Sequence, residues 1–372
     1  RIDFHARTTH DCVCWGHDWP NRCGTLPSNL QPGRHDLIMN SINQAIESLL
    51  SQHRISDLHI HANQPIVARI SGQLQVFNEF VTSNEEIADF LEEHLTAELH
   101  DEFTETSDVD FAYEIGEHRF RGSALMTNKG LAIVSRVIVS NIPDIQDLGL
   151  PPAVHECLTL KDGLVLVTGA TGSGKSTSLA AMVDRINQTR AEHIITVEDP
   201  IEFVHQSNKS VISQREVGTH TKSFASALKG ALRQDPDVIL MGELRDYETI
   251  SMAMTAAETG HLVFATLHTN GAPETVNRLI DAFPPEEQSQ ARSQLSLSLR
   301  LVMTQQLLRK KGGGRIGAFE VMVNTPAISN LIRENKIAQV ANIMQTSAKD
   351  GMILMDKYIE ALQSKNLIEG VK

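Results

Sequence analysis

Several ingredients are scarce in this chain of 372 residues, and each shortage excludes a class of protein. No run approaches the ~18 consecutive apolar residues that a membrane-spanning helix needs, and the amino terminus has no apolar signal core. We therefore expect a cytoplasmic protein. Basic residues are also few: the chain has 33 Lys and Arg against 46 Asp and Glu, which gives a formal net charge of −13. This balance argues against nucleic acid as the main partner.

Cysteine is rare and unevenly placed. Cys12, Cys14 and Cys23 lie in the first 38 residues, and the fourth cysteine is Cys157. The first three, with nearby histidines, resemble a zinc knuckle, but their spacing fits no zinc pattern that we consider diagnostic. Residues 1–38 also lack sustained helical or strand periodicity. We expect them to be a disordered extension or translated sequence upstream of the true start, and we exclude them from the functional argument.

A small α+β domain is predicted for residues 39–140. SINQAIESLLSQ has the apolar spacing of an amphipathic helix, and SDLHIHA and PIVARISGQLQVF alternate as strands joined by a turn at Ser71-Gly72. Ser83 followed by Glu86 predicts a capping box that opens the next helix. Three further strand-like segments complete the domain, which has the size of a compact module.

Asp57, His59 and His61 alternate onto one face of the strand predicted in SDLHIHA. Side chains of these types can bind a metal ion. No further ligands lie at a diagnostic spacing, so a solvated face or a polar cluster is the better interpretation.

The pattern changes after a proline-containing segment, residues 141–152, which we interpret as a linker. Four apolar runs follow, separated by helical stretches: GLVLVTG, AEHIITVED, PDVILMGE and HLVFATLHT. Strands that alternate with helices predict a parallel sheet covered on both faces. We therefore predict an α/β domain over residues 153–372, with a helical carboxyl-terminal part.

A phosphate-binding loop is predicted by GATGSGKST, which matches G-x-x-x-x-G-K-[ST] in full. A buried strand precedes it and a helix follows, so backbone amides and a helix N-terminus would converge on phosphate oxygens. We predict that Lys175 reaches the β- and γ-phosphates of ATP and that the Ser176 hydroxyl binds Mg²⁺. The predicted nucleotide-binding residues are Gly169, Ala170, Thr171, Gly172, Ser173, Gly174, Lys175, Ser176 and Thr177.

Two acidic clusters follow at the ends of predicted strands. Glu198, Asp199 and Glu202 follow the run IITV, and Glu243 follows VILM in the Walker B position. Residues just past the carboxyl ends of parallel strands face the ligand crevice. There one carboxylate can orient water while another holds the hydration shell of the metal. An alternative for Asp199, which precedes Pro200, is that it caps a helix.

Two histidines, His261 and His268, bracket the apolar run in TGHLVFATLHTNG. If the run is a strand, its seven residue steps span roughly 23 Å. One metal ion needs ligands within a few ångströms of each other, so a shared metal is not expected.

Four segments, taken in this order and at these spacings, resemble the secretion ATPase superfamily: GATGSGKST, ITVEDPIEFVHQ, DPDVILMGELRDYETI and AAETGHLVFATLHT. The chain is most similar to the type IV pilus retraction ATPases, the PilT/PilU family, from about Met39 to the carboxyl terminus. The resemblance implies a RecA-like P-loop NTPase domain preceded by a PAS-like α+β domain. It implies a homohexamer that hydrolyses ATP to power pilus retraction and twitching motility. It also implies docking at the inner membrane through a pilus platform protein, with a paralogous retraction ATPase as a further candidate partner.

The resemblance also implies roles for four residues at the predicted strand ends. His261 and His268 match the family's His box, which senses the nucleotide state. Glu202 would be the general base, and Glu243 would be the Walker B ligand of metal and water. The sequence alone allows the two glutamates to exchange these roles.

Basic residues supplied by a neighbouring subunit are implied as well. Arg119, Arg121 and Arg136 lie where the family has arginines that contact phosphates bound by a neighbouring subunit, as an arginine finger does, and we favour this role for Arg121 and Arg136. For Arg119 the alternative of a solvated strand arginine is a serious competitor. The chain departs from the family's AIRNLIRE signature at Ser329, which replaces an arginine.

Three other functions are weighed against the retraction motor. A PilU-like accessory ring ATPase that depends on a partner motor would share these sites, and GATG, LSLSL and NTP favour it, whereas GGGR and LIRE favour PilT. Pilus assembly and type II secretion ATPases carry a tetracysteine insert after the Walker B region, and no cysteine follows Cys157 here. A DNA-translocating ATPase fits the fold class alone, but the acidic charge makes it the weakest of these.

Overall fold

The structure is a computed structural model that describes residues 41–70, 72–116, 118–138 and 142–368. The cysteine-rich residues 1–38 and Ser71 of the predicted turn lie outside the described residues. In the part of the chain that is described, no helix has both the length and the apolar character needed to cross a membrane.

The first sheet is antiparallel and six-stranded, with strand order β3-β2-β1-β6-β5-β4. Its inner face packs on three helices around a single apolar core. The strands are β1 (Ile55–His61), β2 (Gln64–Ile70), β3 (Gln73–Thr82), β4 (Asp108–Ile115), β5 (His118–Thr127) and β6 (Gly130–Ile138), and the helices are α1 (Ser41–Gln52), α2 (Asn84–His94) and α3 (Ala97–Thr106).

Local signals explain these elements. Helix α1 spans the predicted segment and buries Ile46 and Leu49 against the sheet. The capping box at α2 is confirmed, because the Glu86 backbone N–H donates to Ser83 Oγ at 3.1 Å and the Ser83 N–H donates to Glu86 Oε2 at 2.7 Å. The opposite face of the sheet carries the ion pairs of Asp57 with Arg136 and of Asp110 with Arg121.

The second sheet has seven strands in the order β13-β12-β7-β11-β10-β8-β9, all parallel except the β12–β13 pair. The four predicted apolar runs are β7, β8, β10 and β11, so the predicted parallel sheet is confirmed, and β9, β12 and β13 extend it. The strands are β7 (Gly163–Thr168), β8 (His193–Glu198), β9 (Val211–Glu216), β10 (Val238–Met241), β11 (Leu262–Leu267), β12 (Leu299–Arg309) and β13 (Arg315–Val323).

Helices cover both faces of this sheet and create two apolar cores. Leu164 and Leu166 of β7 face one core, and Val165 and Val167 face the other, since successive strand side chains alternate. The helices are α4 (Pro152–Cys157), α5 (Lys175–Thr189), α6 (Phe224–Ala231), α7 (Tyr247–Glu258), α8 (Ala272–Asp281), α9 (Gln288–Ser298), α10 (Pro326–Arg333), α11 (Val340–Thr346) and α12 (Met355–Ser364), with 3-10 turns at Ile337–Gln339 and Ala348–Asp350.

The predicted linker packs on the second sheet. Ile145 and Leu150 are buried in the same core as β7, and Pro152 already begins α4. Strand β7 lies between β12 and β11 in the sheet. The strands that follow β7 along the chain are therefore divided between its two sides, and the direction of winding changes at β7. Such a switch point, at the carboxyl ends of the strands, is where α/β sheets bind ligands.

Candidate active site

The loop after β7 is shaped by glycines that other residues cannot replace. Gly169 has φ +135°, and a Cβ at this position would lie 2.3 Å from the backbone oxygen of Gln305. Gly174 has φ +90°, and its Cβ would lie 2.8 Å from Gln305 Nε2. Gln305 is buried on β12 and accepts a hydrogen bond of 2.8 Å from Ser178 Oγ of α5. The loop is therefore wedged between β12 and α5, with its backbone turned toward the crevice.

Lys175 is the first residue of α5, and the residue is only 8% exposed. Its Nζ donates to the carbonyl oxygens of Gly169 at 2.7 Å and Ala170 at 3.1 Å. Burial lowers the pKa of the ammonium, while the carboxylates of Glu243 and Glu202 act in the opposite direction. The amine is thus held at the mouth of the loop, within the electrostatic range of both predicted catalytic glutamates.

Two serines of the loop offer hydroxyl groups. The Ser173 Oγ is buried and has no hydrogen-bond partner among the described residues. An orphaned buried hydroxyl is costly unless a ligand or water completes it. The Ser176 side chain is half-buried on the first turn of α5. Together with the glycine cradle, these groups fit an anionic ligand and its metal ion.

Glu243 follows β10 and lies in a line of three contacts. Its Oε2 accepts from Arg245 Nε at 2.7 Å, and its Oε1 lies 3.4 Å from His268 Nε2. The other ring nitrogen of His268, Nδ1, lies 3.5 Å from Lys175 Nζ. The Glu243 carboxylate also raises the pKa of Arg245. The structure therefore brings together the loop lysine, the Walker B glutamate and the distal histidine.

The backbone around Glu243 is held by both neighbouring strands. The Gly242 N–H donates to Val197 O of β8 at 2.7 Å, and the Leu244 N–H donates to Thr266 O of β11 at 3.0 Å. The Thr266 hydroxyl donates back to the Gly242 carbonyl. Glu243 therefore has little freedom to move relative to β8 and β11.

Glu202 lies on the loop after β8, with its side chain exposed. Its backbone N–H donates to the Glu198 carboxylate, which also accepts from Thr196 Oγ1 at 2.7 Å and Gln214 Nε2 at 3.2 Å. Burial raises the pKa of Glu198. Residues 199–210 contain no helix, so the interpretation of Asp199 as a helix cap is wrong.

The two histidines lie at opposite ends of β11. His268 belongs to the crevice described above. His261 is at the amino-terminal end, where its Nδ1 lies 3.0 Å from the carbonyl oxygen of Ala256 on α7. The structure thus separates His261 from Lys175 and joins it to a helix.

Arg121 and Arg136 are register partners on β5 and β6. Arg121 pairs with Asp110 at 3.3 Å, and Arg136 Nε donates to Asp57 Oδ1 at 3.0 Å. Their side chains are 51% and 74% exposed. The structure does not bring these two side chains to the loop of their own chain.

Arg119, two residues before Arg121, behaves differently. Its Nη2 lies 3.0 Å from Glu216 Oε2 on the second sheet, and its side chain is only 17% exposed. A solvated Arg119 is therefore excluded.

The face of the first sheet shows no metal centre. Asp57 pairs with Arg69 at 3.7 Å as well as with Arg136. Among the described residues, no group of three His, Cys, Asp or Glu side chains is arranged to hold a metal ion.

Sequence reasoning missed Gln305, Arg245 and Glu216. Gln305 was detectable as a polar residue inside an apolar strand, and Arg245 as a cation two residues after the Walker B glutamate. Glu216 carried no local signal, because Arg119 is 97 residues away in the sequence.

Comparisons with known proteins agree with this architecture. A family profile described as "Type II/IV secretion system protein" matches residues 33–365. The chain is 46% identical to the type IV pilus retraction ATPase PilT of Pseudomonas aeruginosa, with 84% of this chain and 91% of that one covered. It is 39% identical to the type IV pilus ATPase PilU of the same organism, with 84% and 82% covered.

A solved structure of the pilus retraction motor PilT with bound ADP superimposes with a TM-score of 0.83 at 43% identity, and 88% of this chain and 94% of that one are covered. Sequence and structure therefore place this chain in the type II/IV secretion system protein family.

Proposed function

We propose that the chain is an ATP-hydrolysing motor that powers type IV pilus retraction as a homohexamer. The observation that carries the proposal is the contact line from Lys175 through His268 to Glu243, with separations of 3.5 and 3.4 Å, beside the glycine loop. Family membership and the similarity to PilT support the mechanical role.

Nucleotide binding would use the loop of residues 169–177. The backbone amides and the N-terminus of α5 attract phosphate oxygens, and the Lys175 ammonium neutralises the β- and γ-phosphates. The Ser176 hydroxyl makes no hydrogen bond within residues 142–368, so it is available to Mg²⁺, with Glu243 holding the ion's hydration shell. When bound, Mg²⁺ would neutralise charge on the transferring phosphoryl group.

The two glutamates are in different environments, and this favours one division of roles. Arg245 and His268 already engage the Glu243 carboxylate, which suits it to hold the hydrated metal in a set position. The Glu202 carboxylate is exposed and has no hydrogen-bond partner among the described residues, so it can accept a proton from water. Glu202 is therefore our candidate general base, and His268 our candidate sensor of the γ-phosphate.

The ring would complete each active site. Arg121 and Arg136 lie on an exposed face and do not reach their own loop, so we assign them to ATP held by the neighbouring subunit. ATP binding would draw one chain's first sheet onto the next chain's second sheet. Hydrolysis would release that contact, and the alternation would be the mechanical stroke.

The partners that we propose are an inner-membrane pilus platform protein and a paralogous retraction ATPase, with a cytoplasmic location at the platform and no nucleic acid. A PilU-like accessory role is the second candidate. The higher identity to PilT than to PilU favours the motor itself.

Mixing two inactive variants tests the ring. Arg136→Ala and Lys175→Ala proteins should each lack ATPase activity, and mixed rings should regain part of it. Activity returns because some interfaces pair an intact Lys175 with an intact Arg136 from the other chain. A mixture of Lys175→Ala with Glu243→Gln should stay inactive, since both defects lie in the same chain's half of the site. Lys129→Ala removes an exposed cation from the first sheet and should leave activity unchanged.

If the two inactive proteins exchange subunits yet stay inactive at every ratio, either Arg136 does not act in trans or the ring tolerates no defective interface. Titrating wild-type subunits into each variant separates these outcomes. In cells, loss of the gene should give excess surface pili without twitching. Loss of pili altogether would support an assembly motor instead.

A further inference from the structure

Glu216 is a buried carboxylate at the end of β9 that our proposed mechanism has not used. Its residue is 4% exposed. A single oxygen, Oε2, accepts from Arg119 Nη2 at 3.0 Å and from the Ile201 backbone N–H at 2.9 Å. The other oxygen accepts from Thr219 Oγ1 at 3.0 Å. One atom thus joins β5 of the first sheet to the loop of the second sheet that carries Glu202.

The loop is held on both sides by carboxylates. Glu198 and Glu216 are register partners at the ends of β8 and β9. Glu198 accepts the N–H of Glu202, and Glu216 accepts the N–H of Ile201, whose side chain is buried. Two consecutive backbone donors therefore set where the Glu202 carboxylate lies.

The charge of Glu216 makes the arrangement depend on Arg119. A buried carboxylate is stable when it is paired with a cation and fully hydrogen-bonded. Among the described residues, Arg119 is the only cation within 4.0 Å of the Glu216 carboxylate. If β5 moved away, the carboxylate would lose its paired cation and turn toward water, and its bond to the Ile201 N–H would weaken.

The position of Arg119 on its strand adds a second link. Arg119 and Arg121 are two residues apart on β5, so they lie on the same face of the sheet. Arg119 contacts its own second sheet, whereas Arg121 is exposed and is assigned above to the neighbouring subunit. A displacement of β5 by the neighbour's nucleotide would therefore also displace Arg119.

We propose that Glu216 is a positioning residue that, through Arg119, couples the placement of the first sheet to the placement of Glu202. The consequence of this coupling rests on the proposed function: hydrolysis in one subunit would respond to the nucleotide bound by the neighbouring subunit. The contacts that create it are independent of any ligand.

Hydrogen exchange of residues 199–204 in the full-length, assembled protein tests the coupling directly. Arg119→Gln changes only the first sheet, and it should speed exchange of the amide hydrogens in this loop about tenfold or more. Arg300→Gln breaks a more exposed ion pair, Arg300 with Asp162, between β12 and the start of β7 and should leave exchange in this loop unchanged. Unchanged exchange in Arg119→Gln would overturn the proposal.

Turnover gives the second readout. Glu216→Gln keeps the shape of the side chain, and both it and Arg119→Gln should lower kcat about tenfold while leaving the Kd for a fluorescent ATP analogue within about twofold. The double variant should be no slower than the slower single variant, because both changes cut one link. Arg119→Lys should recover part of kcat by restoring the charge.

The outcomes of the two readouts separate the coupling from the ATPase function. A positioning role would be contradicted if the kcat losses of the two single variants multiplied in the double variant. It would also be contradicted if nucleotide affinity fell by as large a factor as kcat. A wild-type protein without ATPase activity that still shows the loop response to Arg119→Gln would refute the proposed function and leave the coupling standing.

Discussion

Replacing Lys175 with alanine should weaken nucleotide binding roughly 10- to 150-fold without unfolding the protein. The Lys175 ammonium is buried, and burial lowers its pKa. A lysine with a lowered pKa binds its proton less tightly when folded than when unfolded, so at neutral pH the charge opposes folding, and stability would rise with pH toward 10.5. Removing it costs the buried hydrogen bond to the Gly169 carbonyl and the partly buried one to the Ala170 carbonyl, a loss that acts against the relief of the buried charge. We expect the free energy of unfolding to stay within about 1 kcal/mol of wild type.

The loss of ligand binding can be estimated from the same contacts. A charged hydrogen bond contributes about 1.5–3 kcal/mol, so losing the Lys175 contact with the phosphates should raise Kd roughly 10- to 150-fold. At a concentration of about 100 times the wild-type Kd, a ligand stabilises the folded state by about 2.7 kcal/mol. The same concentration should stabilise the Lys175→Ala protein by only about 0.3–1.4 kcal/mol.

Thermal unfolding with and without a non-hydrolysable ATP analogue and Mg²⁺ measures both quantities. Lys161→Ala is the matched control. This exposed lysine comes just before β7 and so lies at the amino-terminal end of the strand, whereas the loop follows its carboxyl end. The reasoning is refuted if the variant keeps the full ligand-induced shift. It is also refuted if the ligand-free variant unfolds several degrees earlier, since Lys175 would then be stabilising the fold.

Three further perturbations follow. Glu243→Gln should retain ATP binding but lower kcat by about 100-fold or more, and a parallel loss of binding in a destabilised variant would assign the residue to the fold instead. Tyr113→Phe should lower the free energy of unfolding by about 1–3 kcal/mol, because it leaves the buried Ser135 hydroxyl without its 2.6 Å partner. If the double variant Tyr113→Phe/Ser135→Ala is no more stable than Tyr113→Phe alone, the unpaired hydroxyl is not the cause. Burial lowers the pKa of His94, so stability should fall as the pH drops below about 6.5, and His94→Phe should flatten this dependence in acid unfolding curves. An unchanged slope would show that His94 is not the group involved.

Features that depend on neighbours in the sequence could be predicted from it. The Ser83 capping box, helix α1 and the four apolar strands are set by short-range spacing, and the structure contains each of them. The placement of Glu202, Glu243 and His268 near Lys175 could also be anticipated, because parallel strands end at one edge of a sheet.

Other elements carried weaker signals. Strand β9 lies at the sheet edge with mixed polar and apolar side chains, so VISQRE has no clear alternation. Strand β12 follows α9 without a break, and the apolar residues of the two elements merge into one run in the sequence. Neither a change in hydrophobic periodicity nor a turn residue marks the boundary between α9 and β12 in the sequence.

The sequence by itself predicted the chemistry of the loop of residues 169–177, because glycine, lysine and serine would act there through their own backbone and a few neighbouring atoms. Only the tertiary structure decided how the arginines and carboxylates are paired. Arg119 and Glu216 are 97 residues apart, and Glu243 and His268 come together only because β10 and β11 are adjacent. Which guanidinium is buried in its own chain and which stays exposed depends on how the two sheets pack, and no spacing rule along the chain encodes that contact.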